Sequence, residues 1–225
     1  DGDYCLLESC TMTDNGNHYG IGGQTTWGSA LELSGYAGIM QNCVAYDNRG
    51  EGLKTGKNSR NCIIQDCISY DNYSCGIYVV SARGSIIRRN IVYCTENARY
   101  RPSNGINIGN EYVDDPGELQ IYNNLCYGNF VNLHVDSNVS SARSWSIIHN
   151  TFVNSQKTGS QISRGYNMGV YFRPQLVSFS NSEFRNNIIL EEGNDRVPIN
   201  ADLTYPHEGL EFSNNCWNKT PAVSA

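Results

Sequence analysis

A short phrase returns eight times along this chain, and no other feature limits its fold so strongly. It is clearest at Cys10-Thr11-Met12-Thr13-Asp14-Asn15, Cys43-Val44-Ala45-Tyr46-Asp47-Asn48 and Cys67-Ile68-Ser69-Tyr70-Asp71-Asn72. Looser copies follow at Asn90-Ile91-Val92-Tyr93, Asn124-Leu125-Cys126-Tyr127, Asn150-Thr151-Phe152-Val153, Asn187-Ile188-Ile189-Leu190 and Asn215-Cys216-Trp217. Aligned on its first residue, the phrase gives a Cys/Asn column. Three positions earlier stands an apolar column of Leu7, Met40, Ile64, Ile87, Ile121, Ile147, Phe184 and Phe212. One position later come Thr11, Val44, Ile68, Ile91, Leu125, Thr151, Ile188 and Cys216. Successive copies start 33, 24, 23, 34, 26, 37 and 28 residues apart. The shortest step sets one turn of a coil, and the excess is loop.

Each copy holds two or three short strands, none able to bury an apolar face alone. Stacking the copies lets every strand pair with its counterpart one turn away. Hairpin repeats would reverse direction with a turn dipeptide at each reversal, whereas here the phrase always runs the same way, as parallel coils require. Composition agrees: 22 Gly, 15 Tyr and only 6 Pro, with many β-branched runs and few strong helix formers, describe an all-β chain rich in turns. The Asn column has a physical use, since an amide can bond backbone groups left over at a turn and its own counterpart one coil away. Cys in that column acts as a small buried hydrophobe. The nine Cys therefore read as stacked interior thiols rather than disulfides or a zinc site, although Cys43 and Cys67, one coil apart, are close enough in such a stack to bond. Asp47 and Asp71 read as turn caps.

A second strand follows each Asp-Asn turn. In Ala30-Leu31-Glu32, Gly52-Leu53-Lys54, Gly76-Ile77-Tyr78, Gly105-Ile106-Asn107, Asn132-Leu133-His134 and Gly169-Val170-Tyr171 the middle residue is apolar and points inward by alternation. The next residue faces out, giving a stripe of Glu32, Lys54, Tyr78, Asn107, His134 and Tyr171. Two residues further, Ser34, Gly56, Val80, Gly109, Asp136 and Arg173 are mostly small and predict a shallow trough. Long inserts at 14–28, 96–104, 110–118, 136–143, 155–168 and 191–207 wall it in, carrying Tyr19, Trp27, Tyr100, Tyr112 and Tyr166 as candidates to stack on sugar rings.

The segment DNRGEGLKTGKNSRNCIIQDCISYDNYSCGIYVV, within the best-matching stretch from Gly38 to Tyr93, resembles the pectate-lyase-like superfamily, in particular bacterial right-handed parallel β-helix repeat proteins. The resemblance covers nearly the whole chain. It implies a single right-handed parallel β-helix domain over residues 1–225, a solenoid of about eight coils with long loop insertions. It also implies an extracellular or cell-surface protein whose partner is a polysaccharide, and a polysaccharide lyase cleaving uronate polymers by β-elimination. That chemistry needs a base, an acid for the leaving oxygen and an offset for carboxylate charge. In alginate- and chondroitin-B-type lyases of this fold the base is a Lys on a comparable strand, similar to Lys54 in GEGLKTGKNS. Their partner Arg corresponds here to Tyr78, while Arg83 belongs to the following turn. Lys54 is thus the candidate base, Tyr78 the acid and His134 a further catalytic candidate, with Glu32, Asn107, Tyr171 and Arg173 binding substrate. Each also reads as an ordinary wall residue of an intact coil.

Other residues narrow the choice. The Gly-His-Gly of polygalacturonase-like hydrolases and the Asp-Pro-His-Asp of mannuronan epimerases are absent. A formal charge of -6 argues against a nucleic-acid partner, which needs a basic face. No apolar run reaches the roughly 18 residues of a membrane span. No metal ligand set is assigned. Calcium is the one cofactor the carboxylates would suit, at Glu111, Asp114 and Asp115 or at Asp47 and Glu51 beside Lys54. Both ends look cut, which suggests a fragment of a longer solenoid, and uncapped coils invite end-to-end self-association. Non-catalytic glycan binding or adhesion, and a structural spacer, remain as alternatives to the lyase.

Overall fold

The computed structural model describes residues 2–16, 29–80, 82–100, 103–109, 117–136, 141–155, 168–172, 178–193, 196–202, 209–220 and 222–224. Among them there is no helix, and every strand pair is parallel. Three eight-stranded sheets run the length of the molecule, one strand per sheet per coil, so the repeat forms eight stacked coils. The first sheet extends from Leu6–Glu8 to Leu210–Ser213, the second from Thr11–Thr13 to Cys216–Trp217, and the third from Leu31–Leu33 to Ala222–Ser224. A two-stranded sheet of Ser141–Arg143 and Ser178–Ser180 is added at one corner.

The bend between the first and second sheets explains the Cys/Asn column. The residue before it is left-handed in every coil: Ser9, Asn42, Asp66, Arg89, Asn123, His149, Asn186 and Asn214 have φ between 54 and 57°. Asn and Asp tolerate that conformation best, and they hold five of the eight places. The bend turns backbone groups toward the interior, where the Asn amides collect them. Asn90 Nδ2 donates to Asn124 Oδ1 at 3.0 Å, Asn124 to Asn150 at 3.0 Å, Asn150 to Asn187 at 3.1 Å and Asn187 to Asn215 at 3.1 Å. Each amide also donates to a first-sheet carbonyl in an adjacent coil, as Asn124 does to Ile87 O at 2.9 Å. The column lines up along the axis as expected.

Cys continues the same line in the early coils. Cys67 Sγ accepts from Cys43 N at 3.4 Å, and Cys67 N donates to Asn90 Oδ1 at 3.0 Å. All nine Cys are free thiols, so the Cys43–Cys67 bond that stacking would permit is not made. Burial pushes the Cys67 thiol up to about 12, which leaves it protonated and unreactive at neutral pH. At the opposite bend a second ladder runs from Asn15 to Asn48 at 2.8 Å and from Asn48 to Asn72 at 2.9 Å. There Asp71 caps the neighbouring coil, accepting from Thr95 N and Thr95 Oγ1, each at 2.7 Å.

The interior holds one long core, with a separate small cluster of Phe130, Val131 and Met168. Met40, Ile64, Ile87, Ile121, Ile147 and Phe184 line it from the first sheet, with Leu53, Ile77, Ile106, Leu133 and Val170 facing them from the third. Aliphatic residues and thiols fill the early coils, while Trp145, Phe172, Phe179 and Phe184 fill the later ones. The column one position after Cys/Asn, equally apolar, faces outward instead: Ile91 is 38 % and Ile188 42 % exposed.

Candidate functional site

The inward anchors of the third sheet dictate what its outer face presents. Leu53, Ile77, Ile106, Leu133 and Val170 are fully buried, so the residue after each must point away from the core. Parallel register then aligns Glu32 with Lys54, Lys54 with Tyr78, Tyr78 with Asn107, Asn107 with His134 and His134 with Tyr171. The stripe is therefore continuous, and it runs one coil further to Asn200, beside Tyr171. Asn200 sits in the strand Val197–Asp202, within the stretch 191–207 that the sequence reads as a loop insert.

The side chains interlock along the axis. Lys54 Nζ donates to Glu32 Oε2 at 2.9 Å. His134 stacks flat on Tyr171, with ring centroids 5.4 Å apart at 4°. His134 Nδ1 lies 2.6 Å from Asn107 Oδ1 and 3.1 Å from Asn104 Nδ2. Asn107 and His134 are each 8 % exposed, so the middle of the stripe is sunk into the face. His134, expected at the surface, is buried by its ring and amide neighbours.

One expectation needs correction. The trough is not open at its glycines, because side chains from the preceding coil lean into the space. A Cβ at Gly109 would come 2.8 Å from ring carbons of Tyr78, and one at Gly56 would strike the Glu32 carboxylate. Glycine is needed there so that Tyr78 and Glu32 can lie across the next strand. The three catalytic candidates are spread along the stripe, as their coils imply. Lys54 and Tyr78 are strand neighbours, but His134 stands three strand spacings from Lys54, about 14 Å. Arg173, Tyr19, Trp27, Tyr112 and Tyr166 lie outside the described residues. Tyr100 packs edge-on against Tyr73 at 5.6 Å and under the Arg99 guanidinium.

The second sheet carries a feature that alignment on the Cys/Asn column passes over. Tyr46, Tyr70, Tyr93 and Tyr127, three residues after that column, stack on the outer face with centroids 4.9 Å apart and planes within 5°. Recurrence of Tyr at one place in four copies is the signal that could have found them. Beside the last ring is a groove of about 970 Å³, lined by Tyr93, Tyr127, Val153, Asn154, Glu192 and Arg196 among others.

Behind the groove, Glu191 is fully buried. Its carboxylate accepts from Ser155 N at 3.0 Å and Ser155 Oγ at 2.8 Å, with Arg196 Nη1 at 3.7 Å. Burial outweighs these partners and raises its pKa above 4.5. A carboxyl raised in the folded state adds stability that is full below 4.5 and lost as pH rises through the folded value. Glu191→Gln removes this titration. Melting curves should show the wild type gaining on the variant as pH is lowered from 7 to 4; a constant difference contradicts this.

Among the described residues no group of three His, Cys, Asp or Glu is arranged to hold a metal ion. Glu111, Asp114 and Asp115 lie outside them. Asp47 is left-handed at φ 54°, as a turn residue would be, and its pKa is raised by burial and by the carboxylates of Asp71 and Asp14. Glu51 is buried at the head of the strand carrying Lys54 and accepts a short bond from Ser29 Oγ. No helix of the described residues is long and apolar enough to cross a membrane.

The family described as right handed beta helix region matches residues 1–173. No curated protein matches significantly. The crystal structure of the Dettilon tailspike protein (gp208) superposes with a TM-score of 0.62 at 16 % identity, covering 99 % of this chain and 47 % of that one. The present chain thus spans about half the length of that solved chain, and the likeness is one of fold.

Proposed function

Since the chain belongs to the right-handed β-helix family, we propose that it is an extracellular carbohydrate-binding β-helix that holds a polysaccharide on the outer face of its third sheet. The observation that carries this reading is the register of Lys54, Tyr78, Asn107, His134, Tyr171 and Asn200, one side chain per coil. A rigid row of amine, phenol, amide and imidazole groups at the roughly 4.8 Å strand spacing suits an extended polymer, offering donors, acceptors and ring surface without a cost of ordering loops. The likeness in fold to a tailspike protein supports the surface-exposed part of the reading.

A lyase acting on uronate polymers is the second reading, favoured by the pairing of Lys54 with Tyr78 on adjacent strands. The spread of the other groups along the axis favours binding over a compact catalytic centre. In the lyase reading the amine takes the proton beside the uronate carboxylate and the phenol protonates the leaving oxygen.

Alginate, pectate and glycosaminoglycans separate the two. The expected result is retention of the protein by at least one of these polymers with no rise in ultraviolet absorbance from unsaturated products. Absorbance that rises with the wild type and stops with Lys54→Ala, while retention persists, establishes the lyase. Failure to be retained by any polysaccharide contradicts both.

A further inference from the structure

The tyrosine ladder of the second sheet ends in a step. Tyr93 covers one face of the Tyr127 ring at 4.9 Å. On the other side the register partner of Tyr127 is Val153, a side chain much shorter than a phenol. The outer half of that second ring face therefore opens into the adjoining groove, and Tyr127 remains 37 % exposed. No other ring of the ladder is placed this way: Tyr70 and Tyr93 are stacked on both faces, and Tyr46 borders Thr13 away from the groove.

The rim opposite the ring carries both kinds of hydrogen-bonding partner. Glu192 offers an exposed carboxylate, its backbone N–H held by Asn154 Oδ1 at 3.2 Å. Arg196 touches Glu191 with Nη1 only at 3.7 Å, so most of its five N–H donors are left for something else. Lys219 donates to Gly193 O at the same rim. The groove lining carries the acidic Glu96 and Glu192 together with the basic Arg196, and Lys219 stands beside it, tied to Gly193.

We propose that this notch is a separate carbohydrate site taking one neutral hexopyranose unit. The C–H face of a pyranose lies against the free half of the Tyr127 ring, whose π-face is weakly negative. Neighbouring hydroxyls then donate to Glu192 and accept from Arg196, a pairing that matches a diol. A purely apolar ligand would cover those two charges without partners. A uronate would set its carboxylate beside Glu96 and Glu192. The site lies on a different sheet from the polysaccharide stripe, and neither reading depends on the other.

Saturation-transfer NMR on the full chain, with methyl glucoside, methyl mannoside, methyl galactoside and methyl glucuronide as probes, tests the proposal. At least one neutral glycoside should receive saturation on its ring protons, more strongly than the glucuronide. Tyr127→Leu and Glu192→Ala should each weaken binding by about fivefold or more, with melting temperatures close to wild type. Glu192 is exposed, so that variant keeps the test open if the tyrosine change disturbs packing. Tyr78→Ala should leave this binding unchanged, which separates the notch from the stripe. The proposal is overturned by no neutral glycoside binding at tens of millimolar, by binding that survives both substitutions, or by a signal that Tyr78→Ala abolishes.

Discussion

Replacing Asn124 with Ala is expected to cost about 4 kcal/mol of folding stability, a large part of what a domain of this size has to lose. The side chain is a rung used from both directions. Its Nδ2 donates to Ile87 O and to Asn150 Oδ1, and its Oδ1 accepts from Asn90 N and Asn90 Nδ2, the two at 3.0 Å each. Asn124 is 2 % exposed, so water cannot replace these bonds without entering the core. Alanine would strand two donors on Asn90 and the carbonyl of Ile87, each at about 1–3 kcal/mol, while Asn150 Oδ1 would keep only the backbone N–H of residue 124. Asn124→Cys should cost less, because a thiol already serves this column at Cys43 and Cys67, where it donates to the adjacent-coil carbonyls of Leu7 and Met40. Urea midpoints for the two variants check the ranking. A loss below about 1 kcal/mol for Asn124→Ala would mean that the ladder contributes little.

The second large effect is expected at Phe172. Its inward ring meets Phe179, Phe184 and Phe212 with centroids 5.7 to 6.0 Å apart, all at steep angles, and it is 1 % exposed. Phe172→Ala should cost about 4 kcal/mol, combining lost burial with a cavity that edge-to-face rings cannot collapse to fill. Phe172→Leu should cost roughly 1.5 kcal/mol. The position matters for the outer face too, since Phe172 follows Tyr171 in Met168–Phe172 and pins the strand that presents it. Glycan retention measured beside thermal unfolding should therefore weaken in Phe172→Ala even below its melting transition.

Some of this was legible in the residues and some was not, for physical reasons. The Cys/Asn ladder could be read because an amide buried at every turn has few uses other than bonding its counterpart. The third-sheet stripe could be read because Leu53-Lys54, Ile77-Tyr78 and Leu133-His134 obey simple alternation within one strand. Alternation failed to carry across the bend. The left-handed residue before the ladder resets the side-chain direction, so Ile87 points in while Ile91, equally apolar, points out. The closed trough was illegible for another reason. Room made by Gly109 is claimed by Tyr78 from the neighbouring coil, a contact no local pattern encodes. The burial of His134 likewise depends on Asn107 and Tyr171, each a full coil away.

The third sheet as a polysaccharide platform is tested most directly by the affinity of a retained polymer for the double variant Tyr78→Ala/Tyr171→Ala. These residues sit three strands apart on one face; both are partly buried, with Tyr171 packed against the Phe130, Val131 and Met168 cluster. The account predicts at least a tenfold weaker affinity, about 1.4 kcal/mol, measured below the unfolding transition of the variant. Affinity equal to that of the wild type, in a variant that still folds, would contradict it.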